Sequence, residues 1–243
     1  SVDGGELARV LSETMYAASA DENRYGLNGL HVEVNDGTLR AVATDGSRLA
    51  WSETDEGEWA QCPVSPRSLL SLRAAKMLAR LAADEVGVWA VTRCSRATAW
   101  TSPGGAVLIT QLVDGEFPDY RQVIPDKWRT AAVVRVADLA AALKRADVIA
   151  KESRSHTLVL RVAPDQIRVS TSAVDGGSMA ETLHTETDGP DIEIGVNARY
   201  MLDALAAAGD QVTLAMSDAL DPIVVQYGGR TNLCAVVMPL RID

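Results

Sequence analysis

The chain has 243 residues, of which 47% are hydrophobic and 23% charged, and its formal net charge is −10. That length suits one large domain or two of about 120 residues, and no window approaches the ~20 apolar residues of a membrane-spanning helix. Residues 1–5 lack the basic and apolar segments of a signal peptide. The three cysteines, Cys62, Cys94 and Cys234, are widely spaced, which argues against disulfides and a zinc site. We therefore expect a soluble, cytoplasmic protein that uses no metal or other cofactor.

The first half of the chain predicts a helix, a hairpin and a second helix. Residues 6–20 place apolar side chains at helical spacing. Residues 30–34 alternate as a strand does, and the Asn-Asp-Gly sequence at 35–37 favours a tight turn into a second strand. Ser65 and Pro66 are typical of a helix start, so we expect a helix over residues 66–83.

The second half repeats this order. Residues 138–152 predict a helix, residues 158–162 a strand, and Asn197 caps another helix. Each half then closes with strands around a Gly-Gly turn, at 104–105 and at 228–229. Two unrelated α+β domains could share such a pattern by chance, but the matched order of turns and caps favours duplication. We predict tandem α+β domains at residues 1–126 and 127–243, each with two helices packed on antiparallel sheet.

The positive charges concentrate on the predicted helices, while the acids concentrate in loops and outer strands. A helical face rich in Lys and Arg suits contact with phosphates even on an acidic protein. The alternative is that these are ordinary solvated helix faces, and the charges by themselves leave both interpretations open. The candidate DNA-facing residues are Arg67, Arg73, Lys76, Arg80, Lys144, Arg145 and Lys151.

No catalytic motif is present among the patterns typical of hydrolases, nucleotide-binding proteins and metalloproteases. The histidines His31, His156 and His184 are far apart in sequence, and we interpret each as a surface or strand residue. A hydrolase that uses Cys94 is a remote alternative, because no histidine neighbours it in sequence. We therefore expect a protein that is not an enzyme.

Several runs of residues carry a family resemblance. Residues 24–29 (RYGLNG), 43–50 (ATDGSRLA) and 114–121 (DGEFPDYR) resemble signatures of the middle domain of the bacterial DNA polymerase III beta subunit, the sliding clamp. Residues 194–197 (IGVN) and 236–241 (VVMPLR) resemble its last domain. The runs keep the family's order along the whole chain, so the chain resembles the second and third domains of that subunit.

The resemblance implies a non-catalytic processivity factor whose helices line a channel around duplex DNA without reading its sequence. The full-length family has three domains and forms a homodimeric ring. Its partners are the replicative polymerase alpha subunit, the clamp loader, translesion polymerases and mismatch-repair proteins. Since the resemblance omits the first domain, we expect either an excised piece or a short clamp. The alternative function is a clamp-like regulator that forms no ring and sequesters the same partners.

The resemblance also implies a groove between the second and third domains that binds short, mainly apolar peptides. Gln122 departs from the family, because that position is often basic. By motif, the groove residues are Leu27, Thr44, Gly46, Ser47, Arg48, Leu49, Pro118, Gln122, Val123, Leu220, Pro222, Val236, Val237, Met238, Pro239, Leu240 and Arg241.

Overall fold

The computed structural model describes residues 1–21, 23–35, 38–55, 68–93, 96–151, 156–173 and 177–242. The chain divides into two compact units, residues 1–120 and 121–243. The boundary that we predicted from the sequence lies a few residues further along the chain. No helix among the described residues is long and apolar enough to cross a membrane.

The first unit contains eight strands and two helices within its described residues. In chain order these are β1 (Val2–Asp3), α1 (Gly4–Ser12), β2 (Gly29–Asn35), β3 (Thr38–Thr44), β4 (Arg48–Glu53), β5 (Ser68–Ser71), α2 (Leu72–Asp84), β6 (Val88–Arg93), β7 (Ala97–Thr101) and β8 (Val107–Gln111).

The second unit contains nine strands and two helices within its described residues. In chain order these are β9 (Thr130–Arg135), α3 (Val136–Ala150), β10 (Thr157–Ala163), β11 (Gln166–Ser172), β12 (Ser178–His184), β13 (Glu186–Asp188), β14 (Ile192–Asn197), α4 (Ala198–Leu205), β15 (Gln211–Met216), β16 (Ile223–Tyr227) and β17 (Leu233–Val237).

The two units share one strand topology, which confirms the predicted antiparallel duplication. In the first unit the strand orders are β4-β3-β2-β5 and β1-β6-β7-β8. In the second they are β12-β11-β10-β14 and β9-β15-β16-β17, with β13 added beside β9. In each unit an isolated β-bridge joins the two groups of strands. Leu70 pairs with Leu112 in the first unit, and Gly195 pairs with Leu240 in the second.

Side-chain caps mark the start of three of the four helices among the described residues. Asp3 and Asn197 cap α1 and α4 with their side chains, and the prediction for Asn197 is confirmed. The prediction that a helix begins at residue 66 is wrong. Residues 68–71 form β5, and the Ser71 side chain caps α2 by accepting a hydrogen bond from the amide of Ala74. Ser65 and Pro66 lie outside the described residues.

Each unit has its own apolar core between helices and sheet. In the first unit Leu7 and Leu11 of α1 and Leu78 of α2 are fully buried with Leu30 and Trp100. The second unit has an equivalent layer, whose fully buried members are Leu139, Leu143, Leu158, Leu160, Ile194 and Met201. Because helical and strand periodicities both point apolar residues to one side, the opposite faces of the helices keep their polar and charged residues.

Candidate functional site

The turn that joins β3 to β4 carries five of the predicted peptide-binding residues. The Thr44 hydroxyl donates to the Arg48 carbonyl oxygen at 2.7 Å and accepts from the Gly46 amide at 3.1 Å. Gly46 has φ +89°, a left-handed conformation that glycine adopts without strain. The turn is therefore held by its own side chains, with Leu49 buried beneath it.

Arg48 is fixed in place within this turn. Its Nε donates to Oδ2 of Asp45 at 3.0 Å, and its guanidinium carbon lies 5.7 Å from the centre of the Tyr16 ring. Oδ1 of Asp45 accepts the amides of Ser47 and Arg48 as well. A guanidinium held in one orientation suits recognition of a peptide's carbonyl or carboxylate oxygen.

A polar network holds the segment that contains Pro118. The Phe117 ring stacks on His31, with 4.9 Å between ring centres. The Tyr120 hydroxyl donates to Oε1 of Glu33 at 2.6 Å and accepts from Nη1 of Arg40 at 2.9 Å. These contacts anchor residues on both sides of Pro118, which is itself exposed.

The electrostatics of this network favour a neutral tyrosine. Burial raises the pKa of Tyr120 to about 12, and the hydrogen bond to Glu33 adds to the rise. Burial acts to lower the pKa of Arg40, but hydrogen bonds with Glu53 and Tyr120 outweigh it and the pKa is raised. Arg40 also lies over the Trp51 ring at 4.5 Å. A charged guanidinium and a neutral phenol are therefore the stable pair.

Other predicted peptide-binding residues lie on the surface of their own unit. Leu27 is half-buried, and its amide donates to the Arg24 carbonyl oxygen at 2.8 Å. Gln122 and Val123 are exposed in a short 3-10 turn, Tyr120–Val123. Leu220 is 64% exposed, and Pro222 is half-buried just before β16. These positions offer apolar surface that a ligand can cover.

The tail of the second unit changes character along its length. Val236 and Val237 are buried within β17, so their side chains belong to the core of the strand. Met238, Pro239 and Leu240 are half-buried, and Arg241 is exposed. Of the predicted groove residues in this tail, those with partly exposed side chains therefore begin at Met238.

A backbone contact fixes this tail against β14. The Leu240 amide donates to the Gly195 carbonyl oxygen at 2.8 Å. A Cβ atom at position 195 would collide with the carbonyl oxygen of Leu240, so the close approach of the two backbones requires glycine. Residues 238–241 are thereby held at the edge of the sheet.

The basic residues of α2 form an exposed row. Arg73, Lys76 and Arg80 are all exposed and have no ion-pair partner among the described residues. Arg67 lies outside the described residues. Three unpaired cations at three- and four-residue spacing share one helix face, as contact with phosphates requires.

The basic residues of α3 differ from one another. Lys144 is exposed, and Lys151 lies 4.0 Å from Asp147. Arg145 is held by Glu181 of β12 through two hydrogen bonds, of 2.9 Å and 2.6 Å. That pairing lowers the pKa of Glu181 and raises the pKa of Arg145. Arg145 is therefore engaged with its own sheet, which the sequence did not indicate.

One exposed cation on a helix was not among the residues predicted to face DNA. Arg199 is exposed two residues after the cap Asn197, as Arg73 is two residues after the cap Ser71. The duplicated helix starts were the available signal, because equivalent helices present equivalent positions. Arg199 thus extends the set of exposed helix cations to α4.

A metal site within the described part of the chain would require a cluster of titratable side chains. Among the described residues, no group of three or more His, Cys, Asp or Glu side chains could hold a metal ion. His31 is buried in β2, and Nδ1 of His156 lies 2.7 Å from Oδ1 of Asp147. Cys94 lies outside the described residues.

Comparison with known proteins gives the same family for both units. The family model for the central domain of the DNA polymerase III beta subunit matches residues 1–119, and the model for its C-terminal domain matches residues 121–241. The beta sliding clamp of Caulobacter vibrioides is 35% identical over 250 residues, which cover 100% of this chain and 65% of that protein. This chain therefore spans 65% of the length of that relative.

Solved structures agree with the family models. The DNA polymerase III subunit beta from Pseudomonas aeruginosa matches with a TM-score of 0.93 and 28% identity, over 99% of this chain and 65% of that one. The beta subunit from Thermotoga maritima matches with a TM-score of 0.92 and 26% identity, over 100% and 65% of the two chains. With both units matched, the chain belongs to the DNA polymerase III beta subunit family.

Proposed function

We propose that this chain works as part of a sliding clamp, a non-catalytic processivity factor that surrounds duplex DNA and binds short peptides of its partners. The observation that carries the proposal is the family match over both units. The polymerase, clamp loader, translesion polymerases and mismatch-repair proteins are the partners we propose, in the cytoplasm. Assembly into a homodimeric ring is proposed as for the full-length family.

The DNA contact is proposed for the exposed cations of the helices. Arg73, Lys76 and Arg80 on α2 and Lys144 on α3 project from elements that carry no sequence-reading motif. Contacts to phosphates position a protein on DNA but do not distinguish bases. Binding should therefore be independent of sequence and should weaken steeply as salt rises.

The peptide contact is proposed for two sets of residues, one in each unit. The turn at 44–49 supplies fixed polar groups, and Met238, Pro239 and Leu240 supply apolar surface. Apolar burial contributes roughly 25 cal/mol per Å², but ordering a flexible peptide offsets much of it. Micromolar affinity, about −8 kcal/mol, is the expected result.

A titration with a fluorescently labelled peptide of the Gln-Leu-x-Leu-Phe type tests the peptide contact. The folded chain should bind it with saturation, and Met238→Ala should weaken binding. Met77→Ala is a matched control, because Met77 is an exposed methionine of α2 and is not among the residues proposed to bind peptide. Absence of binding by the folded wild-type chain would contradict the proposal.

A clamp-like regulator that forms no ring would give the same peptide titration. DNA separates the two functions. A clamp needs the helix cations, so neutralising Arg73, Lys76 and Arg80 should reduce DNA contact and leave peptide binding unchanged. A regulator that only sequesters partners should show no DNA contact to lose.

A further inference from the structure

The outward face of the β12-β11-β10-β14 sheet in the second unit carries an open cavity of about 590 Å³. Its floor is a row of cross-strand neighbours, Val159 on β10, Ser170 on β11 and Ala180 on β12. Val159 and Ser170 alternate along their strands with buried residues, so they stand on the face turned away from the core. Hydroxyl groups complete the lining at one end, from Thr157, Ser172 and Ser178. The cavity is therefore shallow and faces solvent.

The tail of the second unit connects this cavity with the proposed peptide contact. Leu240 is bridged to Gly195, and Gly195 pairs with Val159. Two strand spacings of about 4.8 Å therefore separate the Leu240 backbone from the cavity floor. Arg241 and Ile242, the next residues of the tail, line the cavity themselves. A peptide that covers Leu240 reaches the cavity within about three further residues, since each spans up to ~3.5 Å.

Two exposed arginines, Arg168 and Arg241, line the cavity. Neither has a hydrogen bond or an ion pair with another described residue. No Asp or Glu is among the residues that line the cavity in the described part of the chain. Acids outnumber bases in the whole chain by 33 to 23. The cavity is thus a local site of positive charge on an acidic protein.

The charged neighbours of Arg168 are engaged with one another. Arg161, its cross-strand partner on β10, lies 3.8 Å from Asp191 and is opposite Glu193 on its other side. Glu181 of β12 extends to the opposite face of the sheet, where the ion pair with α3 holds it. Arg168 is therefore left without a compensating acid among the described residues.

We propose that this cavity accepts an acidic residue of the partner peptide, located just outside the peptide's apolar motif, and that Arg168 and Arg241 bind its carboxylate. The proposal rests on the peptide contact proposed above for residues 238–240 and adds a preference to it. A guanidinium presents N–H groups in a fork that matches a carboxylate, and the Ser170 hydroxyl can donate to the same group. The apolar motif supplies most of the affinity, while the acidic residue distinguishes one partner from another.

A titration of the whole chain with three labelled peptides tests this preference. All three contain the Gln-Leu-x-Leu-Phe type of motif. One has serines on both flanks, one has two glutamates before the motif, and one has two glutamates after it. We expect one glutamate peptide to bind about fivefold tighter than the serine peptide, the upper range for exposed charges. That ratio should shrink as salt rises, and the peptide that gains identifies the flank.

Variants of Arg168 decide whether the cavity causes the preference. Arg168→Gln should lower the ratio of affinities to about one and leave binding of the serine peptide unchanged. Arg168→Glu should reverse the preference, so that a peptide with lysines on that flank binds tighter than the glutamate peptide. Arg135→Gln is the control, because it removes the same charge at an exposed position of β9 that does not line the cavity. Thermal unfolding verifies that every variant is folded.

Each outcome has a distinct meaning. A preference that Arg168→Gln removes and Arg135→Gln keeps would support the proposal. Equal affinity of the wild-type chain for all three peptides would overturn it and leave the apolar contact standing. A preference that persists in folded Arg168→Gln protein would overturn it as well. If none of the peptides bound, the peptide contact itself would be wrong, and this inference with it.

Discussion

The Tyr120 hydroxyl donates a 2.6 Å hydrogen bond to the buried carboxylate of Glu33, which joins the end of the first unit to the middle of β2. The two residues are 87 positions apart in the sequence. Arg40 donates to the same hydroxyl from β3. One phenol therefore connects two strands to the segment that carries Pro118.

Replacing that phenol should lower stability. Tyr120→Phe removes one hydroxyl donor from Glu33, which keeps its 3.5 Å contact with Nε2 of His31. A buried polar group that loses a hydrogen bond costs about 1–3 kcal/mol. The free energy of unfolding, measured in urea at neutral pH, should fall by that amount. Tyr25→Phe is the control, because Tyr25 is 66% exposed. An unchanged stability of Tyr120→Phe would contradict the role of the network.

The same tyrosine should give the protein a stability loss at high pH. The pKa of Tyr120 is raised to about 12 in the folded state, while an unfolded tyrosine titrates near 10. The folded chain then holds the proton more tightly, so this contribution is complete below about pH 10 and is lost as pH rises through about 12. Wild type should lose more stability over that range than Tyr120→Phe. An equal dependence of stability on pH in wild type and Tyr120→Phe would contradict the raised pKa of Tyr120.

Freeing Arg145 should strengthen the proposed DNA contact. Glu181→Gln removes the carboxylate that engages Arg145, and one more available cation should make the salt dependence of binding steeper by about 0.9 in the logarithmic slope. Fluorescence anisotropy with linear duplex DNA over a salt series measures this slope. Asp218→Asn is the control, because it removes one negative charge at another exposed position. An equal gain in both variants would indicate net charge alone as the cause.

Removing the cations of α2 should have the opposite effect. A variant with Arg73→Ala, Lys76→Ala and Arg80→Ala should bind duplex DNA more weakly, by a similar factor for every sequence tested. Helical content by circular dichroism should remain, since alanine favours helices. A loss that depends on DNA sequence would contradict a contact made only to phosphates.

Met238→Ala should weaken peptide binding by about 1–2 kcal/mol. This is the low end of the range for large-to-small substitutions, because the Met238 side chain is incompletely buried. Gln122→Arg should change the affinity less, since an exposed charge contributes little. The labelled-peptide titration compares both with wild type. Equal affinity of wild type and Met238→Ala would remove Met238 from the proposed site.

Much of the fold could be predicted because its signals are local. The helix over residues 138–152, the cap at Asn197 and the Gly-Gly turns each depend on a few neighbours in sequence and lie close to where they were expected. The first helix was predicted over residues 6–20 and is shorter, because α1 ends at Ser12 and only a 3-10 turn, Met15–Ala17, follows it. The start of α2 was missed because Ser65 with Pro66 and Ser71 are both plausible caps. Strand pairing decides between them, since β5 must pair with β2.

The parts of the candidate site that escaped prediction depend on distant contacts. Glu33 alternates like an outward residue of β2, and only the position of Tyr120 shows why it is buried. In the sequence Arg145 is indistinguishable from the other cations of α3, because its partner Glu181 lies on β12. Pairing between charges 36 residues apart has no signature in either segment.

The Gly195–Leu240 bridge has a consequence for the thermodynamics of peptide binding. Because the backbone of residues 238–241 is already ordered, the protein side of the proposed contact loses little conformational entropy when a ligand arrives. Gly195→Ala would push Leu240 away and release this tail, whereas Gly209→Ala meets no atom within 4 Å. Calorimetry should show a less favourable entropy of peptide binding for Gly195→Ala than for Gly209→Ala. Preorganisation of the tail would then be a measurable part of the affinity.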